Sequence, residues 1–160
     1  MRNLRREDLP DLIRVLNETG AFNDVEVGCA VELLGIVLDD PNQKDYIVAV
    51  AEDGGRAIGY VLYGPVPLTE GNFDLYWIAT DPKVQGRGFG RRLLADAEAD
   101  VRTRGGRMIC LETSSQGGYE RTRLFYEQGG YVEESRIRDF YRPGDDRITY
   151  VKRFSTKEKS

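Results

Sequence analysis

The chain has 160 residues, 40% of them apolar and 31% charged, and its 23 basic and 27 acidic side chains give a formal net charge of −4. That length suits one domain around one core, and the acidic balance argues against a protein that grips nucleic acid by bulk charge. The absence of histidine removes Ser-His-Asp and Cys-His catalysis and argues against a zinc site.

In chain order, residues 8–18 place Leu9, Leu12, Ile13 and Leu16 at helical spacing, with Pro10 tolerable in a first turn. A second helix follows, capped by Asn23 or Asp24, with Cys29, Leu33, Leu34 and Val37 as its apolar face. "YIVAVAE" and "AIGYVLYG" read as two strands joined at Asp53-Gly54-Gly55, and "FDLYWIAT" as a third. Residues 88–104 carry Leu93, Leu94, Ala97 and Val101 on one helical face, ended by Gly105-Gly106. "MICLE" reads as a strand buried on both faces. "YERTRLFYEQGGY" is a short helix stopped by Gly129-Gly130, and "YVEESRIRDFY" and "RITYVKRF" are hairpin arms across "RPGDD".

The predicted order is thus ααβββαβαββ. A strand-helix-strand unit in the middle implies a parallel pair with a right-handed crossover, while the hairpins imply antiparallel pairs. The expected fold is α+β with a mixed sheet, in a single domain over residues 1–154 and a loose tail at 155–160. No run of 18 apolar residues is present, so no membrane span is expected. The start "MRNLRREDLPDLIRVL" lacks the apolar core and cleavage site of a signal peptide, so the expected location is cytoplasmic. Cys29 and Cys110 sit among apolar neighbours and read as buried free thiols.

The stretch "WIATDPKVQGRGFGRRLLADAEADV" sets Gly86, Gly88 and Gly90 where a helix begins. A helix start leaves N–H groups without partners and carries partial positive charge, and glycine lets a ligand approach the backbone. The stretch therefore suits an anion, and pyrophosphate fits it well. Arg87, Arg91 and Arg92 add charge at its mouth. A Walker loop would end in Gly-Lys-Ser/Thr, but here Arg-Arg follows; a dinucleotide fingerprint would need glycine at Arg91. A flexible turn without ligand is the plain alternative.

Gln85-Gly86-Arg87-Gly88-Phe89-Gly90 resembles the acetyl-CoA signature of the GNAT superfamily of N-acetyltransferases, Gln/Arg-x-x-Gly-x-Gly/Ala. "LFYEQGGY" resembles the second signature of that family, a tyrosine-bearing helix followed by a Gly-aromatic turn. The resemblance implies acetyl-CoA as co-substrate, with no metal. Its pantetheine arm would run along Ile78-Ala79-Thr80, and its pyrophosphate would sit on the amides of residues 86–91, those of Gly86, Arg87, Gly88, Phe89, Gly90 and Arg91. Strands 73–80 and 108–112 would splay apart to admit the thioester.

Acetyl transfer needs a neutral amine, a stabilised oxyanion and a proton for the departing thiolate. The resemblance makes Tyr126 the best candidate for general acid and for a contact to the CoA sulfur, and a phenol is protonated at neutral pH; packing and a bond to a carbonyl are the plain alternative. Glu112, closing "MICLE", is the preferred base, its pKa raised by partial burial, with an edge carboxylate bonded to a neighbouring arginine as the plain alternative; Asp74, Tyr76 or a water chain are the other candidate bases. A backbone amide near Ile78 is the simplest oxyanion donor. Many relatives carry an asparagine seven residues before the tyrosine to bond pantetheine. This chain has Tyr119 there, with Ser114 and Ser115 as candidate substitutes.

The C-terminal "RDFYRPGDDRITYVKRF" resembles the tyrosine-rich hairpin of ribosomal-protein N-terminal acetyltransferases, in which Tyr141 would flank a peptide; a simple surface turn is the other reading. Glu26 and Glu32 are candidates to attract an ammonium group. The expected acceptor is an amine-bearing small molecule or a peptide N-terminus. Homodimers are common among relatives, and no segment of this chain decides the matter. A non-catalytic CoA-binding or regulatory module is the alternative of another class.

Overall fold

The computed structural model describes residues 1–155. Its elements are β1 (Arg2–Asn3), α1 (Leu9–Glu18), α2 (Asp24–Asp39), β2 (Ile47–Asp53), β3 (Arg56–Pro65), β4 (Asn72–Thr80), α3 (Phe89–Thr103), β5 (Met108–Ser114), α4 (Glu120–Gln128), β6 (Val132–Arg142) and β7 (Asp145–Arg153). The predicted order holds, with one addition: two residues at the N-terminus pair antiparallel with β2, Arg2 opposite Val50 and Asn3 opposite Ala49. The seven strands form one mixed sheet in the order β1-β2-β3-β4-β5-β7-β6. The part of the expected tail beyond residue 155 lies outside the described residues.

The chain divides into two compact units, Met1–Pro65 with Leu75–Asp100, and Val66–Asp74 with Val101 onward. In the first, the β2–β3 hairpin closes at Asp53 and Arg56 around Gly54 and Gly55, both at positive φ, the backbone that a two-residue hairpin turn demands. Leu12, Val15 and Leu16 of α1 and Val27, Ala30 and Leu34 of α2 pack on Val48, Val50, Tyr60 and Leu62. Each fully buried leucine here contributes roughly 1.5–3 kcal/mol. The Asn23 side chain accepts from the Glu26 amide while Glu26 accepts from that of Asn23, so α2 starts where its sequence predicts.

The buried face of α2 includes the predicted Leu34, with Leu33 and Val37 packed partly buried against the same core, but not Cys29. Val27, Ala30 and Leu34 point inward, and Cys29 is exposed rather than buried. The helix is apolar almost all round (Val25, Val27, Ala30, Val31, Leu33, Leu34, Ile36 and Val37), so spacing alone does not select a face. In α3, the predicted Leu93, Leu94, Ala97 and Val101 are all buried.

In the second unit, β4 and β5 run parallel over Asn72↔Met108, Phe73↔Ile109 and Asp74↔Cys110, where their ladder ends. β5 then pairs antiparallel with β7 from Met108↔Arg153 to Ser114↔Arg147. Ile109, Leu111, Ile148 and Tyr150 are buried, and the Tyr150 hydroxyl donates to Glu127 of α4 at 2.8 Å. The other face of β5 carries Cys110 and Glu112, half-buried and exposed respectively. β5 is therefore buried on one face over this stretch, not on both, and it opens a polar sheet face. Among the described residues, no helix is long and apolar enough to cross a membrane.

Candidate active site

In the first unit, the path from β4 to α3 is set by Asp81. Its buried carboxylate accepts from the Lys83 amide at 2.9 Å and from Arg14 Nη2 at 2.8 Å. Burial pushes this carboxyl up, but the Lys83 amide and the Arg14 guanidinium outweigh it and hold it below the ordinary range. The fixed charge folds Pro82–Val84 into a 3-10 turn that delivers the glycines to the start of α3.

Gly86 and Gly88 have φ of +79° and +80°, a backbone that side-chain-bearing residues rarely adopt. A Cβ on either would meet nothing within 4 Å. The first helical bond of α3 runs from the Arg92 amide to the Gly88 carbonyl at 3.1 Å. The amides of Gly88, Phe89 and Gly90 thus fall in the part of a helix that lacks intrahelical acceptors. The Arg87 amide is spent inward on Val84 O at 3.2 Å, so it drops out of the expected row of phosphate donors. The Arg87 side chain pairs with Asp53 at 2.9 Å, and the guanidinium groups of Arg87 and Arg92 both lie over the Phe89 ring. Gln85, Gly86, Arg87, Gly88 and Arg91 are exposed. Ala79 is buried, and Ile78 and Thr80 are half-buried at the end of β4. Tyr76 is exposed and edge-on to Tyr46, ring centroids 5.7 Å apart.

The second unit gathers Asp74, Cys110, Glu112, Tyr141 and Arg147. Arg147 Nη1 lies 3.5 Å from Glu112 Oε1, and its guanidinium covers the Phe140 ring at 4.4 Å. Glu112 is thus exposed and ion-paired, where partial burial was expected. Asp74 is the carboxyl that burial affects: desolvation first, and the charge of Glu112 second, push it above the ordinary range. Burial, then Asp74, pushes the Cys110 thiol up as well, and Cys110 Sγ lies 3.3 Å from Asn72 Oδ1. Tyr141 is exposed beside Phe140, its phenol raised by burial and then by Glu112.

Tyr126 is 5% exposed on α4, edge-on to Phe125 and Tyr131. Burial alone pushes its phenol well above the ordinary tyrosine value, so it remains a hydrogen-bond donor through the working pH range. Tyr119 stands at the N-cap of α4, its amide bonded to Gln116 O at 3.0 Å. The Ser114 hydroxyl is spent as a donor within the protein. Ser114 Oγ donates to the buried Asp145 and accepts from the Gln116 amide, while Ser115 Oγ accepts from the Asp146 amide at 2.8 Å. Arg123 Nη1 clamps the same loop through the carbonyls of Ser114 and Gln116.

Arg147, Arg123 and Asp145 escaped the sequence reading. Alternation in "RITYVKRF" puts Arg147 and Thr149 on one face, but only the β5–β7 register sets that face beside Glu112. Glu26 and Glu32 lie half-buried and exposed on α2.

The family profile described as "Acetyltransferase (GNAT) domain" matches residues 44–133. A solved structure from Desulfovibrio desulfuricans, described as belonging to a GNAT-family acetyltransferase, is 40% identical, with 96% of each chain covered and a TM-score of 0.89. An aminoglycoside 6′-N-acetyltransferase complexed with coenzyme A is 19% identical over 98% of this chain and 97% of that one, TM-score 0.74. The ribosomal-protein-S18-alanine N-acetyltransferase of Escherichia coli is 21% identical over 99% and 96%, TM-score 0.74. No curated protein matches the chain by sequence.

Proposed function

The chain belongs to the GNAT family of acetyltransferases, and from that premise we propose that it transfers the acetyl group of acetyl-CoA to a primary amine, borne by a small molecule or a peptide N-terminus. The reading takes residues 1–154 as one acetyltransferase domain. The observation that carries it is the open glycine backbone at the start of α3. Gly86 and Gly88 hold a left-handed conformation with empty space where a side chain would stand, which suits a diphosphate resting on main-chain N–H groups.

In this reading the amides of Gly86, Gly88, Phe89, Gly90 and Arg91 hold the diphosphate, and Gln85 borders it. The backbone of Ile78, Ala79 and Thr80 lies along the pantetheine arm, with Tyr119 as a further contact. Acetyl-CoA supplies the activated thioester; the remaining work falls to the protein. Asp74 and Glu112 are the two carboxylates available to take a proton from the incoming ammonium. The raised pKa of Asp74 brings it closer to the proton affinity a base needs. Arg147 holds Glu112 in place. Tyr126, kept neutral by burial, gives a proton to the departing thiolate.

A panel of amines and short peptides, incubated with acetyl-CoA and followed by thiol release, tests the assignment. Release with at least one primary amine is expected. Saturable CoA binding with no release from any amine would instead favour a non-catalytic module, and no CoA binding at all would remove the reading.

A further inference from the structure

β3 alternates across the sheet. Tyr63 faces α3, its hydroxyl donating to Asp100 Oδ2 at 2.7 Å. Tyr60 and Leu62 face the opposite way, into the core under α1 and α2. Tyr60 is fully buried, and its hydroxyl has no hydrogen-bond partner. The indole Nε1 of Trp77 on β4 is also buried without a partner.

The two residues stand on adjacent strands and border the same core cluster. A Cβ built on Gly59 would lie 3.1 Å from Thr80 Cα, so Gly59 stands opposite Thr80 and Tyr60 opposite Ala79. Trp77 lies two residues away from Ala79 on the same face, at the diagonal position from Tyr60, and packs against the same core. Phe22, in the turn between α1 and α2, packs on the Trp77 ring at 5.7 Å. Burial, with the Cys29 thiol second, pushes the Tyr60 phenol up, so it stays protonated.

Buried donors left unmade are costly, and a folded protein pairs nearly all of them. An indole N–H can only donate, and a neutral phenol donates as well. An uncharged oxygen carries two lone pairs and so can accept from such donors. The surrounding aliphatic and aromatic groups favour a neutral oxygen over a charged one, whose desolvation would be severe.

We propose that Trp77 Nε1–H and Tyr60 Oη–H bind an amide carbonyl oxygen of the acceptor, so that the amine acetylated is carried by an amide-bearing molecule rather than by a simple alkylamine. The proposal rests on the acetyl-transfer reading above. Carbonyls of the pantetheine arm share this chemistry. The donors, however, face away from α3, whose start carries the glycine loop, and this favours the acceptor as their source.

Trp77 is the only tryptophan, so its emission reports this site without turnover. The intact protein is titrated separately with alanyl-alanyl-alaninamide, propylamine and CoA. A saturable shift with the tripeptide amide and none with propylamine is expected. Tyr60→Phe should weaken tripeptide binding by about three- to tenfold while Tm is unchanged or higher. A shift with CoA alone, with none from the tripeptide, would assign the donors to the cofactor and overturn the proposal. So would a Tyr60→Phe variant of higher Tm with unaltered tripeptide affinity, which would mark the hydroxyl as merely buried or hydrated. Tripeptide binding without thiol release from acetyl-CoA would keep the site and count against acetyl transfer. Release with silent fluorescence would do the reverse.

Discussion

Glu112 and Arg147 meet across the β5–β7 ladder, Oε1 3.5 Å from Nη1, and Glu112 stands two residues beyond Cys110, the ladder partner of Asp74. Two carboxylates and one guanidinium therefore share a sheet face. The charge of Glu112 adds to burial in raising the Asp74 pKa. Glu112→Gln removes the like charge, so the acid limb of kcat/KM should move to lower pH. An unmoved limb, measured with an amine whose own pKa is known, would show that Asp74 is not the group being titrated.

Asp74→Asn should stabilise the protein at neutral pH while slowing it. A carboxyl whose folded-state pKa is raised binds more protons in the native state than in the unfolded one just above the ordinary aspartate value. Stability then falls as pH rises through that window and stays lower above it. The asparagine variant escapes this loss. Its Tm should exceed that of the parent at pH 7, with the difference closing in acid, while kcat/KM falls by roughly 10²-fold if Asp74 is the base. Thermal melts across pH and initial rates decide it together.

The glycine turn before α3 and the helix that carries Tyr126 were legible in the sequence because each stretch is contiguous: the chain itself carries Gln85 to Gly90, and Tyr126 sits at a fixed distance before Gly129-Gly130. The element order was legible for a related reason, since turn residues and periodicity are local signals. Arg147 and Asp145 were not, because their roles depend on Ser114 lying opposite Arg147, a long-range register. The edge of the buried face of α2 was illegible, so that Cys29 was misplaced while Leu33, Leu34 and Val37 were not, because apolar residues surround the helix. β1 was illegible because two residues carry no period.

Tyr126→Phe tests the acid directly. The ring keeps its edge contacts with Phe125 and Tyr131, so Tm should hardly change. If the phenol protonates the thiolate, kcat should fall by roughly 10²–10⁴-fold, with CoA affinity little altered. Because burial raises this phenol, the parent enzyme should show no alkaline loss of kcat from Tyr126 near the ordinary tyrosine value. A phenylalanine variant with parental turnover would assign the ring to packing alone.

Gly88→Ala separates backbone strain from ligand contact. At φ +80° an alanine costs about 1–2 kcal/mol, yet its Cβ meets no protein atom. The fold should survive with a modest drop in Tm. If the diphosphate occupies that space, CoA affinity should fall by roughly ten- to a hundredfold by calorimetry. Gly117→Ala is the control: it too has open space around it, without a positive φ, and should leave both quantities unchanged. Equal CoA affinity in the two variants would move the diphosphate elsewhere.

Asp8 anchors the N-terminus. Its carboxylate is 4% exposed, receives Arg2 Nη1 and Nη2 at 2.7 Å each, and accepts from the Arg5 amide at 2.8 Å. The paired N–H groups of Arg2 outweigh the cost of burial and hold this carboxyl below the ordinary range. A depressed folded-state pKa contributes stability above the unfolded value, near 3.9. That contribution is lost as pH falls through the folded-state value. Asp8→Asn leaves the Arg5 amide with an acceptor but removes the charge opposite Arg2, which is itself bonded to Glu52. Part of Arg2 remains in solvent, so the loss belongs at the lower end for a broken buried pair, about 3 kcal/mol at pH 7. Urea unfolding at pH 7 and again in strong acid should show that difference shrinking as the parent loses its own carboxylate. A difference of the same size at both pH values would mean that packing, not the ion pair, holds β1 to the sheet.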